Sequence, residues 1–219
     1  MNATRFASAL LAAAMSVILL TDAVAAEPRL TRSQALQRLS HSDAAKRRAA
    51  VARLGDVGVM ADATALVKEL RDTDEEARAL AEDSLWKIWS RSGDEKVDAL
   101  YRLGMRQMNE GLAEDAVATF SRIIEMKPAF AEAWNKRATL YFLMEEYEKS
   151  LADCDEVMKR NPYHFGALAG YFQIYVKLEE FERALRFGRR ALEINPNMEG
   201  LRQGVEAIED MLDRTRIVV

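Results

Sequence analysis

The side chains that could carry chemistry in this sequence are few and scattered. Its two histidines, His41 and His164, have no cysteine or glutamate partner at the spacing a metal site needs. Both read as helix-terminus residues. The single cysteine, Cys154, excludes an internal disulfide, and its helical spacing from apolar neighbours reads as a packed thiol rather than a reactive one. No serine occupies a Gly-x-Ser-x-Gly elbow and no glycine-rich run forms a phosphate loop; Gly166 and Gly170 read as points of close helix contact. The acidic pairs Glu145-Glu146 and Glu179-Glu180 read as solvated turn residues. The basic groups Lys46-Arg47-Arg48 and Arg186-Arg189-Arg190 read as charged helix faces balanced by nearby acids. No set of acid, base, nucleophile or metal ligands assembles, so the expectation is a chain that is not an enzyme and carries no cofactor and no metal. With 31 basic against 35 acidic side chains and a net charge of -4, there is no electrostatic case for nucleic acid either.

What remains is surface, and surface must be positioned by helices. Nearly half of the 219 residues are hydrophobic, 49%, enough for a core, and no alternating run of Val, Ile and Thr marks a sheet. Three prolines, Pro128, Pro162 and Pro196, fall 34 residues apart twice over. On the same period sit Ala99, Ala133 and Ala167; Leu100, Trp134 and Leu168; Gln107, Tyr141 and Tyr175; and Val117, Leu151 and Leu185. One unit is therefore written three times, over 94–130, 131–164 and 165–198. Within the middle copy, Ala133, Trp134, Arg137, Ala138 and Tyr141 follow helical spacing. Tyr147, Leu151, Cys154 and Val157 resume it after the polar break. Each proline closes a second helix, because the residue before it (Lys127, Asn161, Asn195) is pushed away from helical angles. The fold class predicted is all-α.

These residues resemble the tetratricopeptide repeat. The first copy matches its pattern with Leu100, Leu103, Gly104, Ala116, Phe120 and Pro128, the second with Trp134, Ala138, Tyr141 and Pro162, and the third with Leu168, Tyr175, Ala184 and Pro196. Three departures stand out: Gln107 where an aromatic is usual, Phe172 where a small residue lets helices approach, and Gly188 where Phe is usual. The resemblance implies a right-handed α-solenoid of helical hairpins.

Residues 1–26 carry one early positive charge at Arg5, an apolar stretch from Phe6 to Leu20, and Ala23-Val24-Ala25-Ala26. They read as a secretory signal peptide cleaved after Ala25 or Ala26. An uncleaved anchor is the alternative, against which stands an apolar run shorter than the ~20 residues of a membrane span. A leader of bacterial type implies a periplasmic or secreted protein with no membrane span after cleavage.

Residues 27–93 carry a shorter repeat, in which Asp43, Arg47, Ala50 and Leu54 recur 31 residues later as Asp74, Arg78, Ala81 and Leu85. Thr73 and Glu76 read as a capping box, Gly55 as a helix stop, and Leu66, Val67 and Leu70 as a short helix between. This stretch resembles HEAT repeats, and the resemblance implies that Asp72 with Arg47 or Arg78 is structural. So few repeats need something to dock on. The helix after Asp74, with Leu85, Trp86, Ile88 and Trp89 spread too widely for one stripe, is expected to cover the first tetratricopeptide-like unit. A Trp pair exposed to recruit a partner is the alternative. After Pro196, Leu201, Val205, Ile208 and Leu212 predict an amphipathic capping helix within 199–219, ended by the apolar Ile217-Val218-Val219.

The resemblance also implies a groove lined by the first helices of successive units. Carried over position by position, it comprises Tyr101, Met105 and Met108, then Asn135, Thr139 and Phe142, then Gln173 and Val176, with Asp98, Asn109, Glu132, Leu143, Ala169 and Lys177 beside them. The family's carboxylate-clamping lysines and asparagines are absent: Tyr101 and Met105 replace the first pair, Thr139 a second asparagine, and Gly166 and Gly170 the basic positions of the third unit. Such a groove favours apolar anchors, with Asn135 and Gln173 able to bond a ligand backbone. The function expected is a non-catalytic scaffold or adaptor that binds a protein or peptide, in envelope assembly. The alternatives are an accessory subunit of an envelope enzyme complex, or a self-associating structural protein in place of a monomer.

Overall fold

The computed structural model describes residues 29–217, so the leader 1–26 and the terminal Val218-Val219 lie outside the described residues. Among them are eleven α-helices and no strand. The all-α reading holds. The 34-residue units form three antiparallel pairs: α5 (Glu95–Asn109) with α6 (Ala113–Met126), α7 (Ala131–Leu143) with α8 (Tyr147–Arg160), and α9 (Phe165–Lys177) with α10 (Phe181–Ile194). Before them stand α1 (Arg32–Arg38), α2 (Ala44–Val57), α3 (Ala63–Glu69) and α4 (Glu75–Trp89); after them comes α11 (Glu199–Ile217).

The period is visible in the backbone. Each pair turns through one left-handed residue, Gly111 (φ 76°), Glu145 (φ 60°) and Glu179 (φ 58°), 34 residues apart. The next N–H in each turn, of Leu112, Glu146 and Glu180, donates back to the carbonyl of Gln107, Tyr141 and Tyr175 at 2.9, 2.8 and 2.8 Å. Glycine enters that conformation without a steric penalty and glutamate does not. Each second helix ends on a residue that has left helical angles, Lys127, Asn161 or Asn195, ahead of its proline, as the restriction on pre-proline residues requires.

The departures in the third copy compensate one another. In the first pair, a Cβ on Gly104 would stand 2.7 Å from the tip of the Phe120 ring. In the third, a Cβ on Gly188 would stand 2.8 Å from the Phe172 ring. Glycine and phenylalanine have exchanged helices, 16 residues apart in both cases. The second pair splits the volume between Ala138 and Cys154, both buried. The contact between paired helices is thus filled once in every copy, from whichever side. Phe172 also reaches α11, close to Gly204, and joins Leu185, Val205 and Ile208 in one buried cluster. That cluster is how α11 caps the array.

The N-terminal helices are tied by forked arginines. Arg47 donates through Nε and Nη2 to both oxygens of Asp72 at 2.6 and 2.7 Å, and Arg32 does the same to Asp62 at 2.7 and 2.6 Å. The 31-residue repeat is real in the contacts: Arg47 donates to the carbonyl of His41, six residues back, and Arg78 to that of Asp72, also six back. Two local readings need correction. Gly55 does not stop α2, which runs on to Val57; it is buried inside the helix, where a Cβ would meet Ser84 Oγ at 2.6 Å, and Gly58 closes the helix instead. The cap of α4 is Asp74, whose carboxylate accepts from Ala77 N–H at 2.8 Å, rather than Thr73.

The docking partner of α4 also differs from the expectation. Its second face meets the junction of the second and third copies, not the first copy. Trp89 stacks on the His164 imidazole at 4.6 Å and lies 5.0 Å from Phe165, while Trp86 meets both rings edge-on at 5.4 Å. A Cβ on Gly166 would be 2.6 Å from Trp86, so the tryptophan needs the glycine. Under the rings, His164 Nδ1 accepts the Ala167 N–H at 3.0 Å, leaving Nε2 to donate to Glu132 at 2.8 Å, with both side chains wholly buried. Burial pushes the Glu132 carboxyl up, but the His164 hydrogen bond and Lys136 at 3.0 Å outweigh it and hold it below its usual range. A second row of polar ties runs to the closing turn of the third copy: Arg78 to Asn197 at 3.1 Å, Asn197 to the Leu70 carbonyl at 2.8 Å, Asn195 to Glu82 at 3.0 Å, and Arg71 to the Ile194 carbonyl at 3.1 Å. The short repeat therefore treats that turn as its next neighbour. A tryptophan pair left open to solvent is ruled out for Trp89, which is buried.

Two measurements check this description. Phe172→Gly is expected to cost about 3–5 kcal/mol and Gly188→Phe about 1–3 kcal/mol or more, whereas the double variant, which recreates the first pair, should lose clearly less than the sum in denaturant midpoints. Additive losses would mean that the two positions do not share one volume. The second concerns pH. The Arg47 fork holds Asp72 down to about 2 and the Arg32 fork lowers Asp62. A carboxyl whose pKa falls on folding stabilises fully above its unfolded pKa, here about 4, and loses that contribution as pH drops toward 2. Melting temperature should therefore fall through that window, and Asp72→Asn should start lower and show a shallower slope.

Candidate peptide-binding groove

The first helices of the second and third copies, α7 and α9, diverge around a cleft of about 110 Å³ open to solvent. Asn135, Thr139 and Phe142 edge it from α7, one helical turn apart. Gln173 edges it from α9, and α8 supplies Ser150 and Cys154 beneath. Ala138, Ala169 and Gly170 are small enough to leave the space. A Cβ on Gly170 would touch only Cys154 Sγ, at an ordinary 3.5 Å. Gly170 is therefore a wall of the cleft and not the close helix contact expected of it; Gly166, under Trp86, is such a contact.

The polar groups at the rim are neutral. Thr139 donates to the Asn135 carbonyl at 3.0 Å, and the Asn135 amide donates to Glu132 at 3.2 Å, which fixes it with its Oδ1 uncommitted to that bond. Gln173 is exposed. Phe142 is half-buried with its ring tilted against Tyr147 at 5.9 Å. Cys154 is 2% exposed, and burial, with Asp153 and Asp155 adding to it, pushes its thiol up to about 12. It is a packed floor residue without thiolate character. No ionised side chain lines the cleft, so its recognition would rest on apolar contact and neutral hydrogen bonds.

The other positions carried over from the repeat pattern fall elsewhere. Tyr101 is a correction: only 8% exposed, it packs in the core of the first copy against Phe120 and Phe130 at 6.0 and 5.6 Å, with its hydroxyl beside Glu132 and Ser90. Met105 and Met108 are half-buried against that same core, and Val176 against the cluster that holds α11. Glu132 is 1% exposed. The structure thus brings together Asn135, Thr139, Phe142 and Gln173 and leaves the first copy out. The first-copy side chains are taken up by their own core, and the tryptophans of α4 cover the N-terminal end of α9. The small floor residues were the part that spacing alone missed, although Gly166, Ala169 and Gly170 in one helix are a legible signal of an unfilled face.

Comparison with known proteins agrees with this architecture. The family model for the tetratricopeptide repeat matches residues 131–164, the pair α7 and α8. A TPR repeat-containing protein of Rhizobium etli is 31% identical over 150 residues, spanning 68% of this chain and 72% of that protein. A small glutamine-rich tetratricopeptide repeat-containing protein of Dictyostelium discoideum is 30% identical over 112 residues, half of this chain and 34% of its own length. Among solved structures, the first TPR of Spaghetti, bound to an HSP90 peptide, gives a TM-score of 0.52 at 20% identity over 54% of this chain and 94% of that one, a likeness of fold. Three proline-closed helix pairs on a 34-residue period, together with the Rhizobium relative, place the chain in the tetratricopeptide repeat family.

Proposed function

We propose that this protein is a non-catalytic interaction scaffold that holds a segment of another protein between α7 and α9. The observation that carries the reading is the cleft itself, in which Thr139, Phe142 and Gln173 stand at the rim over a floor of Ala138, Cys154 and Gly170. An apolar side chain of the ligand fits the floor, and its backbone amides meet Asn135 and Gln173. The cleft offers no charge to anchor an ionised end. This matches the sequence, which lacks the clamp of lysines and asparagines. Solved structures of this fold include one holding a peptide, which supports binding as the use of the cleft. The ordered seam between the N-terminal helices, which we take as HEAT-like, and the third copy gives the ligand a rigid wall rather than a hinged one.

The location we propose is the bacterial envelope, with the leader removed and the scaffold serving assembly there. It rests on the charged, apolar and small-residue segments of residues 1–26. N-terminal sequencing of protein recovered from cells checks it: the expected mature start is Ala26 or Glu27, and an intact Met1 in the membrane fraction would replace it with an anchored form.

The cleft is tested with a photo-crosslinking residue at Gln173, matched by one at Met108 outside it. Crosslinks to a partner are expected from position 173 and not from 108. Phe142→Asp combined with Gly170→Leu should abolish them while far-ultraviolet circular dichroism stays unchanged. Crosslinking that survives both substitutions defeats the assignment.

A further inference from the structure

A second cavity, of about 200 Å³, opens where the end of α4 meets the turns that close the first and second copies. It is separate from the α7–α9 cleft and does not depend on the use of that cleft. Two buried donors border it without an acceptor: Trp89 Nε1 and Asn161 Nδ2, on residues 3% and 2% exposed. A buried N–H left unpaired is costly, and each such group in a folded protein needs an explanation.

The repeat supplies one. Asn195 stands 34 residues after Asn161, in the same turn. Both use Oδ1 to accept the N–H two residues on, at 3.0 Å from Asn197 and 3.2 Å from Tyr163. At Asn195 the amide Nδ2 donates to a carboxylate, Glu82 of α4, at 3.0 Å. At Asn161 the equivalent donor has no partner among the described residues, and the residue lines the cavity, whose lining includes no acidic side chain. The charged side chains that line it are all cationic. Arg91, Lys127 and Arg160 border the space. Arg91 is held by the carbonyls of Asp56 and Gly58, Arg160 by Glu156 and the Pro128 carbonyl, and Lys127 makes no ion pair among the described residues. The α7 helix starts at Ala131 on the same wall, and its cap residue Phe130 has no side-chain acceptor for the first N–H groups. An anion is favoured there by the helix terminus as well as by the cations. Met60, 45% exposed, and Phe130 add an apolar side.

We propose that this cavity binds a carboxylate carried on a short apolar body, the carboxylate accepting from Asn161 and Trp89 as Glu82 accepts from Asn195, and the apolar part lying on Met60 and Phe130. A free organic acid and the last residue of a chain share that chemistry.

The test is nuclear magnetic resonance of the full mature chain, following the indole N–H of Trp89, assigned through Trp89→Phe, and the Asn161 side-chain amide. N-acetyl-leucine is expected to move both at millimolar concentration, and N-acetyl-leucinamide, which lacks the charge, to move neither. Acetyl-Gly-Gly-Leu binding more tightly than N-acetyl-leucine marks a chain end as the natural source; the reverse order marks a free acid. Lys127→Ala should weaken binding about tenfold, as loss of one charge-assisted contact does, and Phe142→Asp should leave it unchanged. The proposal is overturned if the amide shifts the two resonances as far as the acid. Shifts with inorganic phosphate alone, or with none of these probes, overturn it equally.

Discussion

A helical hairpin has two sides to bury and only one partner helix of its own, so each hairpin depends on what lies beside it. In this chain the requirement is hardest at the N-terminus, where α1–α4 form too short a stack to stand alone. It is met by Trp86 and Trp89, which lie on His164, Phe165 and Gly166, and by the polar stitches from Leu70, Arg71, Arg78 and Glu82 to Ile194, Asn195 and Asn197. The buried His164 and Glu132 follow from it. Sealed under two indoles, the imidazole must satisfy both nitrogens locally, and it does so with the Ala167 N–H and the glutamate. The same seam covers the N-terminal end of α9 and leaves the cleft near Thr139 and Gln173 open.

The three copies show what the repeat conserves physically. Between paired helices it is a volume, not a residue: Gly104 with Phe120, Ala138 with Cys154, Phe172 with Gly188. At the hairpin turn it is a left-handed backbone, taken by Gly111 in one copy and by glutamates in the others. At the end of the second helix it is a residue that has left helical angles ahead of a proline. Substitutions that look irregular against a pattern of residue types are regular against a pattern of shapes.

This explains what could be read from the sequence and what could not. Prolines at a fixed period and apolar residues at helical spacing are local signals, and the helix pairs they imply are the ones found. The capping role of Leu201, Val205, Ile208 and Leu212 was equally legible, since α11 has one apolar stripe and one place to put it. The burial of Tyr101 was not: its position in the repeat pattern is outward, and the nearby end of α4 and the Phe130 ring closed over it. Gly55 looked like a stop because glycine ends many helices, yet here it admits Ser84. The partners of α4, from His164 to Asn197, lie far along the chain, and contacts of that range leave no periodicity to detect. In the cleft, Asn135, Thr139 and Gln173 came from the family resemblance carried over position by position, while the space between them lies beside Gly170, which reads in the sequence as a close helix contact.

The hairpin order has a bearing on synthesis. The chain emerges from its N-terminus, so Trp86 and Trp89 are made well before His164, Phe165 and Asn197. Until the third copy has been made, the faces of the two indoles that meet His164, Phe165 and Gly166 have no partner there. The seam therefore closes late rather than first and does not proceed hairpin by hairpin, since closing a loop of this length carries an entropic cost before any contact repays it. A protein whose repeats could in principle zip up in sequence thus waits on one contact between its first helices and its third copy.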